Sequence, residues 1–256
     1  MTFTGFQSID LAFLTELARN NDRDWFTGNR ATYDKALKPQ LEALIVALSE
    51  ALAARDIPLA GDAKRSVFRI HRDTRFSKDK RPYKTHVSAT LTRDGQKLSP
   101  GLLYVHIEPE GGSRAFDAQS IDPLDPSTHP SAQGDEGPFG NGPFAAAGFY
   151  LNDRPDIDAM RRAIVADPKG WAAVEAALAK AGLEIASGAP TKRMPKGFED
   201  HAGGPLEESL KKTRWLVDRP LTGAEIAAPG LVPIIAGFVA DAMPLMTFGW
   251  RALERR

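Results

Sequence analysis

"THVSATLTRDGQKLSPGLLYVHIEP", residues Thr85 to Pro109, alternates apolar and polar side chains in two runs separated by turn residues. Val87, Ala89 and Leu91 oppose His86, Ser88, Thr90 and Thr92 in the first run, and Leu103, Val105 and Ile107 oppose Tyr104, His106 and Glu108 in the second. A period of two marks a strand with distinct faces, and "RDGQK" and "SPG" supply the turn chemistry a reversal needs. Upstream, "RSVFRIHRDTRF" (Arg65 to Phe76) alternates in the same way. Downstream, "FAAAGFYL" (Phe144 to Leu151) reads as a further strand whose small side chains admit close packing. The stretch thus predicts an antiparallel meander at the centre of the fold.

The flanks read as helices. "SIDLAFLTELARNN" offers Ser8 as N-cap, Leu11, Leu14 and Leu17 at three-residue spacing, and Asn20 and Asn21 as stop signals. In "DRDWFTGNRATYDKAL" Trp25, Asn29 and Tyr33 share a face at i, i+4, i+8, and a long amphipathic helix follows Pro39 through Leu41, Leu44, Ile45, Leu48 and Leu52. Beyond the sheet, "NDRPDIDAMRRAIVAD" and "DPKGWAAVEAALAKAGL" carry cap residues, the second with Asp167 as N-cap, Pro168 at N1 and Gly182 past its end. "TGAE" from Thr222 has capping-box spacing. "APGLVPIIAGFVADAMPLMTFGW" reads as a buried helix bent or broken near Pro244; Asp241 and its internal prolines count against a bilayer span. Helices at both ends of the chain around a central, mainly antiparallel sheet make an α+β fold rather than repeating βαβ units. We expect a single α+β domain over 1–256 with a flexible insertion near 111–142, where Gly, Pro, Ser and Asp dominate.

The chain of 256 residues has 33 Lys and Arg against 33 Asp and Glu and no cysteine. The last fact removes disulfides, thiolate metal sites and cysteine nucleophiles, and points to the cytoplasm. No basic n-region precedes a long apolar core at the N-terminus. Charge is balanced in sum but not locally: Lys64 to Lys84 holds nine Lys and Arg against two Asp, while Glu108 to Asp158 holds ten acids and two Arg. A nucleic-acid coat would show a basic excess over the whole domain, so nucleic acid is not favoured as a partner, and no membrane is expected.

The basic segment "FRIHRDTRFSKDKRPYK", Phe68 to Lys84, is where chemistry concentrates. Extended, it turns Phe68 and Ile70 to the core and sets Arg69, His71, Asp73 and Arg75 on a polar face, with Arg72 opposite. His86, His106 and Glu108 of the next strands would join that face around a hollow. Guanidinium forks bind phosphate or carboxylate bidentately where lysine acts as a point charge. The return arm adds Lys80 and Lys84, with Pro82 stiffening the turn and Tyr83 supplying a ring or hydroxyl. The competing account is a solvated charge run, or an Arg–Asp network that pins loops and binds nothing. Histidines at such loose spacing are more often structural than metal ligands, and no metal site is assigned. "HRD" at His71 lacks the Asn of a kinase loop, since Lys78 stands there, and "GPFGNG" is no phosphate loop. "TKRMPKGF" (Thr191 to Phe198) is a second basic element that either closes over the first or forms a solvated loop.

At "RIHRDTRFSKDKRPYK" the chain resembles a widespread bacterial and fungal family, domain of unknown function 2461, with its signature R-x-x-R-D-x-R-F followed by D-K-x-x-Y. The matching positions are Arg69, Arg72, Asp73, Arg75, Phe76, Asp79, Lys80 and Tyr83. The likeness extends to "NNDRDWFTGNRATY" and "TKRMPKGFEDH"; the polar insertion from Asp117 to Gly142 departs from it. The resemblance implies no reaction, substrate or cofactor. Three readings follow. The first is a pocket for a phosphate-bearing or other anionic small molecule, formed by Arg69, Arg72, Asp73, Arg75, Lys80, Tyr83 and Lys84, in which Arg75→Ala keeps the fold but abolishes salt-sensitive anion binding. The second is a non-enzymatic scaffold or interaction protein whose signature is a structural Arg–Asp–Tyr network, in which Asp73→Ala costs roughly 3–5 kcal/mol. The third is a metal-dependent phosphoryl-transfer enzyme or phosphodiester hydrolase using Asp73, Asp79 or Glu108.

Overall fold

A computed structural model describes residues 2–75, 79–109, 142–186 and 190–255. Phe76 of the signature and the insertion expected near 111–142, apart from Gly142, lie outside them.

Helix α1 (Ser8–Arg19) begins one residue earlier in its capping than Ser8 suggests. Gln7 is the cap, and its backbone N–H donates to Asp10 Oδ2 at 2.7 Å in a capping box. Asp22 caps α2 (Arg23–Thr32) by accepting from the Trp25 N–H at 2.8 Å. The chain then makes a π turn over Tyr33–Leu37 and runs straight into α3 (Lys38–Ala53). Pro39 thus opens no new helix after a break. A proline within a helix clashes with the carbonyl four residues back, and the wider π turn just before it relieves that crowding.

Among the described residues four strands follow, antiparallel throughout and in the order β1-β2-β3-β4: β1 (Val87–Thr92), β2 (Leu102–Ile107), β3 (Phe144–Tyr150) and β4 (Arg214–Pro220). Between β3 and β4 lie α4 (Arg154–Ala166), α5 (Pro168–Lys180), a 3-10 turn (Glu199–His201) and the short α6 (Glu207–Lys211). After β4 come α7 (Gly223–Ile226), closed by the Thr222/Glu225 capping box, and α8 (Leu231–Glu254). The protein is α+β, a meander sheet with helices at both ends of the chain.

One face of the sheet carries Val87, Ala89, Leu91, Leu103, Val105, Ile107, Ala147, Phe149, Trp215 and Val217 into a core shared with the N-terminal helices, α5 and α8. Helix α8 is its spine. It is long and apolar enough by length and composition to cross a membrane, and it buries Leu231, Ile235, Phe238, Val239, Leu245 and Met246 in this core. It continues through Pro244 as one run rather than breaking there. Two glycines set close approaches. A Cβ on Gly249 would lie 2.2 Å from the Phe149 ring, so α8 reaches β3 only with hydrogen there, and Gly148 in β3 has φ +132° with the Trp215 carbonyl against it.

Phe68 to Arg75, the described part of that segment, does not form the regular strand its alternation suggests. Single bridges join Val67 to Ala89 and His71 to Tyr83. The Phe68 N–H donates to the Ser88 carbonyl at 2.9 Å, on the outer edge of β1, whereas Arg72 and Lys84 exchange bonds with Pro82 and Ile70 within the segment's own hairpin. The chain changes partner between Phe68 and Ile70, and the side-chain alternation changes with it: Val67 and Ile70 face the main core, while Phe68 packs on the opposite face of the sheet.

Candidate functional site

The hairpin from Ile70 to Lys84 separates the signature into two groups. Arg72 turns inward, its side chain 2% exposed, and its Nη1 donates to the Arg81 carbonyl at 2.9 Å and lies 3.0 Å from Asp79 Oδ2. Arg81 grips the same carboxylate through Nη2 at 2.7 Å and Nε at 2.9 Å. Burial pushes the Asp79 carboxyl up, but the Arg81 side-chain and backbone bonds and the charges of Arg72 and Arg81 outweigh it and hold the pKa at about 2. Tyr83 is stacked on Phe26 with centroids 4.1 Å apart. The Asn21 side-chain amide both donates to the Tyr83 carbonyl (2.9 Å) and accepts from its N–H (3.0 Å), as a strand neighbour would. Asn21 therefore does more than stop α1: it clamps the hairpin to the end of that helix.

The second group lies outward. Arg69, Arg75 and Lys80 are exposed. Arg75 forks onto Asp73, with Nη2 to Oδ2 at 2.6 Å and Nε to Oδ1 at 3.0 Å, which together with the Arg75 backbone bond holds the Asp73 carboxyl down at about 2. Lys80 Nζ donates to the Thr74 carbonyl at 2.9 Å. The carboxylate that answers the buried arginine is thus Asp79 and not Asp73.

The polar side of the sheet is a different assembly. Lys84, His86, Ser88, Thr90, Thr92, His106 and Glu108 account for seven of the thirteen buried polar or charged residues among those described. Register pairs Ser88 with His106 across β1 and β2. The His86 and His106 rings lie 4.1 Å apart, and His106 stacks on Phe144 at 4.9 Å. On one side of the His106 ring Nδ1 is 3.4 Å from the Tyr104 hydroxyl; on the other Nε2 is 3.7 Å from Glu108 Oε2. Glu108 Oε1 accepts the Gly142 N–H at 2.8 Å. Over this face lies Phe68, edge-on to Tyr104, with Lys84 Nζ 5.6 Å and Lys97 Nζ 4.8 Å from its ring centroid. Thr90 and Thr92 satisfy their hydroxyls on the Lys97 and Gln96 carbonyls. The Ser88 Oγ and His106 Nε2 atoms are buried with no hydrogen bond among the described residues. On the β4 side the Arg214 guanidinium covers the Tyr150 ring at 4.2 Å, and burial lowers its pKa.

Of the residues expected on one polar face, His86, His106 and Glu108 are there, joined by Lys84. Asp73 and Arg75 pair with each other on the hairpin, Arg69 is exposed just before it, and His71 sits against Phe26 and Tyr83, its pKa lowered by burial and then by Arg69, Arg30 and Arg23. Lys97 escaped sequence reasoning because it stands in a turn, and Arg214 escaped it because β4 was not foreseen, which left Tyr150 of the expected strand without its partner. The signal for β4 was "RWLVDR", a short apolar run, Trp215 to Val217, with an aromatic and a β-branched residue between charged ends. Lys192, Arg193 and Lys196 of the second basic element are exposed. Among the described residues no three His, Asp or Glu side chains converge as a metal would need, and the Asp73 and Asp79 carboxylates are each held by arginine.

The family described as "Conserved hypothetical protein (DUF2461)" matches residues 10–116 and 139–248. The residues between the two matched segments fall in the polar insertion. No curated protein and no solved structure matches the chain.

Proposed function

Proceeding from a chain that belongs to the conserved hypothetical family DUF2461, we propose that it binds a small phosphate-bearing or related anionic ligand on the polar side of its sheet, beside Phe68. One observation carries the reading: seven buried polar residues are gathered on a single sheet face, two of them lysine and glutamate, two histidine. Burying polar groups is costly unless they are paired, so a concentration of this kind has a use. Lysine charge, two imidazoles and the Ser88 and Tyr104 hydroxyls form a donor set suited to phosphate oxygens. On this reading the ligand contacts Lys84, Lys97, His86, Ser88 and His106, and the exposed Arg69, Arg75 and Lys80 are the alternative cationic site. We read α8 as the core helix of a water-soluble domain and the cysteine-free chain as cytosolic.

Calorimetric titration with inorganic phosphate, pyrophosphate and a nucleoside monophosphate tests the reading. Lys84→Met should weaken binding about tenfold or more with the circular dichroism spectrum retained. Loss in Arg75→Ala but not in Lys84→Met would move the site to the hairpin end. No binding by the native protein to any of the three would sink it.

The second reading, a scaffold, is favoured by the burial of Arg72 on Asp79 and by the Tyr83–Asn21 clamp. Under it the signature holds the hairpin against α1 and α2, and no anion stabilises the protein.

A further inference from the structure

Far along the chain from the signature, the last turns of α4 and α8 enclose a recess of about 290 Å³. Its wall is apolar: Ala159 and Ala163 of α4, Ala252 of α8, and Phe248, whose ring lies 5.2 Å from Trp171. Three arginines line the same recess, Arg162 from α4 and Arg251 and Arg255, four apart, from the end of α8. None of the three makes an ion pair or hydrogen bond among the described residues.

Arginines near a helix C-terminus do complement the macrodipole, an effect of roughly 0.3–1 kcal/mol. That accounts for Arg251 and Arg255 at the end of α8, but not for Arg162, which lies before the last turn of α4, or for three arginines lining one apolar hollow with a single acid, Asp167. Four other helical arginines are paired, Arg19 with Glu16, Arg30 with Asp34, and Arg154 and Arg161 with Asp158, while Arg23 at the start of α2 has no ion pair among the described residues. Acids close in sequence are occupied elsewhere. Glu254, between Arg251 and Arg255, reaches away to Arg93 Nη1 at 2.8 Å. Asp167, which also lines the recess, accepts the Gly170 N–H at 2.8 Å as the cap of α5. Three guanidiniums and one carboxylate leave a formal charge of +2 around an alanine and phenylalanine wall.

We infer that this recess binds a phosphate monoester with a small apolar body, the dianion on Arg162, Arg251 and Arg255 and the apolar part against Ala163 and Phe248. A dianion matches the local charge, and guanidinium forks match phosphate oxygens. The volume suits a single aryl or short alkyl group, at the small end of ligand pockets. The site is independent of the sheet face.

Phenyl phosphate is the probe, titrated into the full-length chain by calorimetry, with inorganic phosphate and benzoate as comparators. Phenyl phosphate should bind most tightly, and more weakly as salt rises. The double variant Arg162→Ala/Arg251→Ala removes only exposed side chains; it should keep the native melting temperature and weaken phenyl phosphate at least about tenfold. Ala163→Leu fills the recess without touching the charge and should weaken phenyl phosphate while leaving the arginines in place. In a Lys84→Met background, which removes the sheet-face site proposed above, the same double variant should cause the same loss. Absence of binding, or undiminished binding in the double variant on either background, would overturn the inference. Equal affinity for inorganic phosphate would remove the apolar subsite from it.

Discussion

Leu103 and Tyr104 are consecutive in β2 and equally inaccessible, at 0% and 2% exposure, yet they lie in different surroundings. Leu103 belongs to the aliphatic face that meets the helices, where nothing requires a partner and packing alone decides stability. Tyr104 belongs to the opposite face, with His106, Phe144 and Phe68 around it and lysine, histidine and glutamate buried close by. Burial by itself therefore does not identify the core of this sheet. The aliphatic face is built for cohesion, while the polar face leaves a serine hydroxyl and an imidazole nitrogen in the interior without hydrogen bonds among the described residues, which cohesion does not require.

The contrast can be broken in order of expected size. Leu103→Ala, on the aliphatic face, should lower the unfolding free energy by about 2–5 kcal/mol, read from urea denaturation with an unchanged m value. A loss below about 1 kcal/mol would show that this face is not the cohesive one. Asp79→Ala, in the hairpin's Arg72–Asp79–Arg81 clasp, should cost about 1–3 kcal/mol by removing the carboxylate that answers the buried Arg72 guanidinium. The effect is smaller than for a fully buried pair because Asp79 is itself 23% exposed. Asp73→Ala should cost less, since its partner Arg75 is 76% exposed. A larger loss at Asp73 than at Asp79 would reverse the assignment of the structural carboxylate.

Acid titration sharpens the same point. The folded Asp79 pKa of about 2 lies below the unfolded value near 3.9. Its stabilisation is therefore fully present above about pH 4 and is lost as pH falls through about 2. Stability of the native protein should drop across that window, and Asp79→Ala should flatten the drop; an identical acid limb in both proteins would contradict the clasp. The smallest effect is expected on the polar face. Ser88→Ala removes a buried hydroxyl that makes no hydrogen bond among the described residues, so stability should stay within about 0.5 kcal/mol or rise slightly. A loss above about 1.5 kcal/mol would mean that the hydroxyl serves the fold and not a ligand.

Local signals in the sequence carried the architecture. Period-two runs located β1 and β2, since alternation records which side chains a pleated strand must turn to each face, and the short run of small and apolar residues from Phe144 to Leu151 located β3. Caps such as Asp167 and the Thr222/Glu225 box marked helix ends, because an orphan N–H needs a nearby acceptor whatever the rest of the fold does. The α+β order and the peculiarity of the signature were legible for the same reason. What depended on distant partners was not. The turn of the hairpin away from β1 between Phe68 and Ile70 is set by hydrogen bonds to Ser88 on one side and Pro82 on the other. The choice of Asp79 over Asp73 for Arg72, the reach of Asn21 across 62 residues to Tyr83, and the arrival of Lys97 beside Phe68 were likewise decided in three dimensions. By itself the sequence determined where charge and alternation lie, because these follow from neighbours along the chain. Only the tertiary structure decided which charges are buried and with whom, because desolvation and pairing depend on every element packed around them.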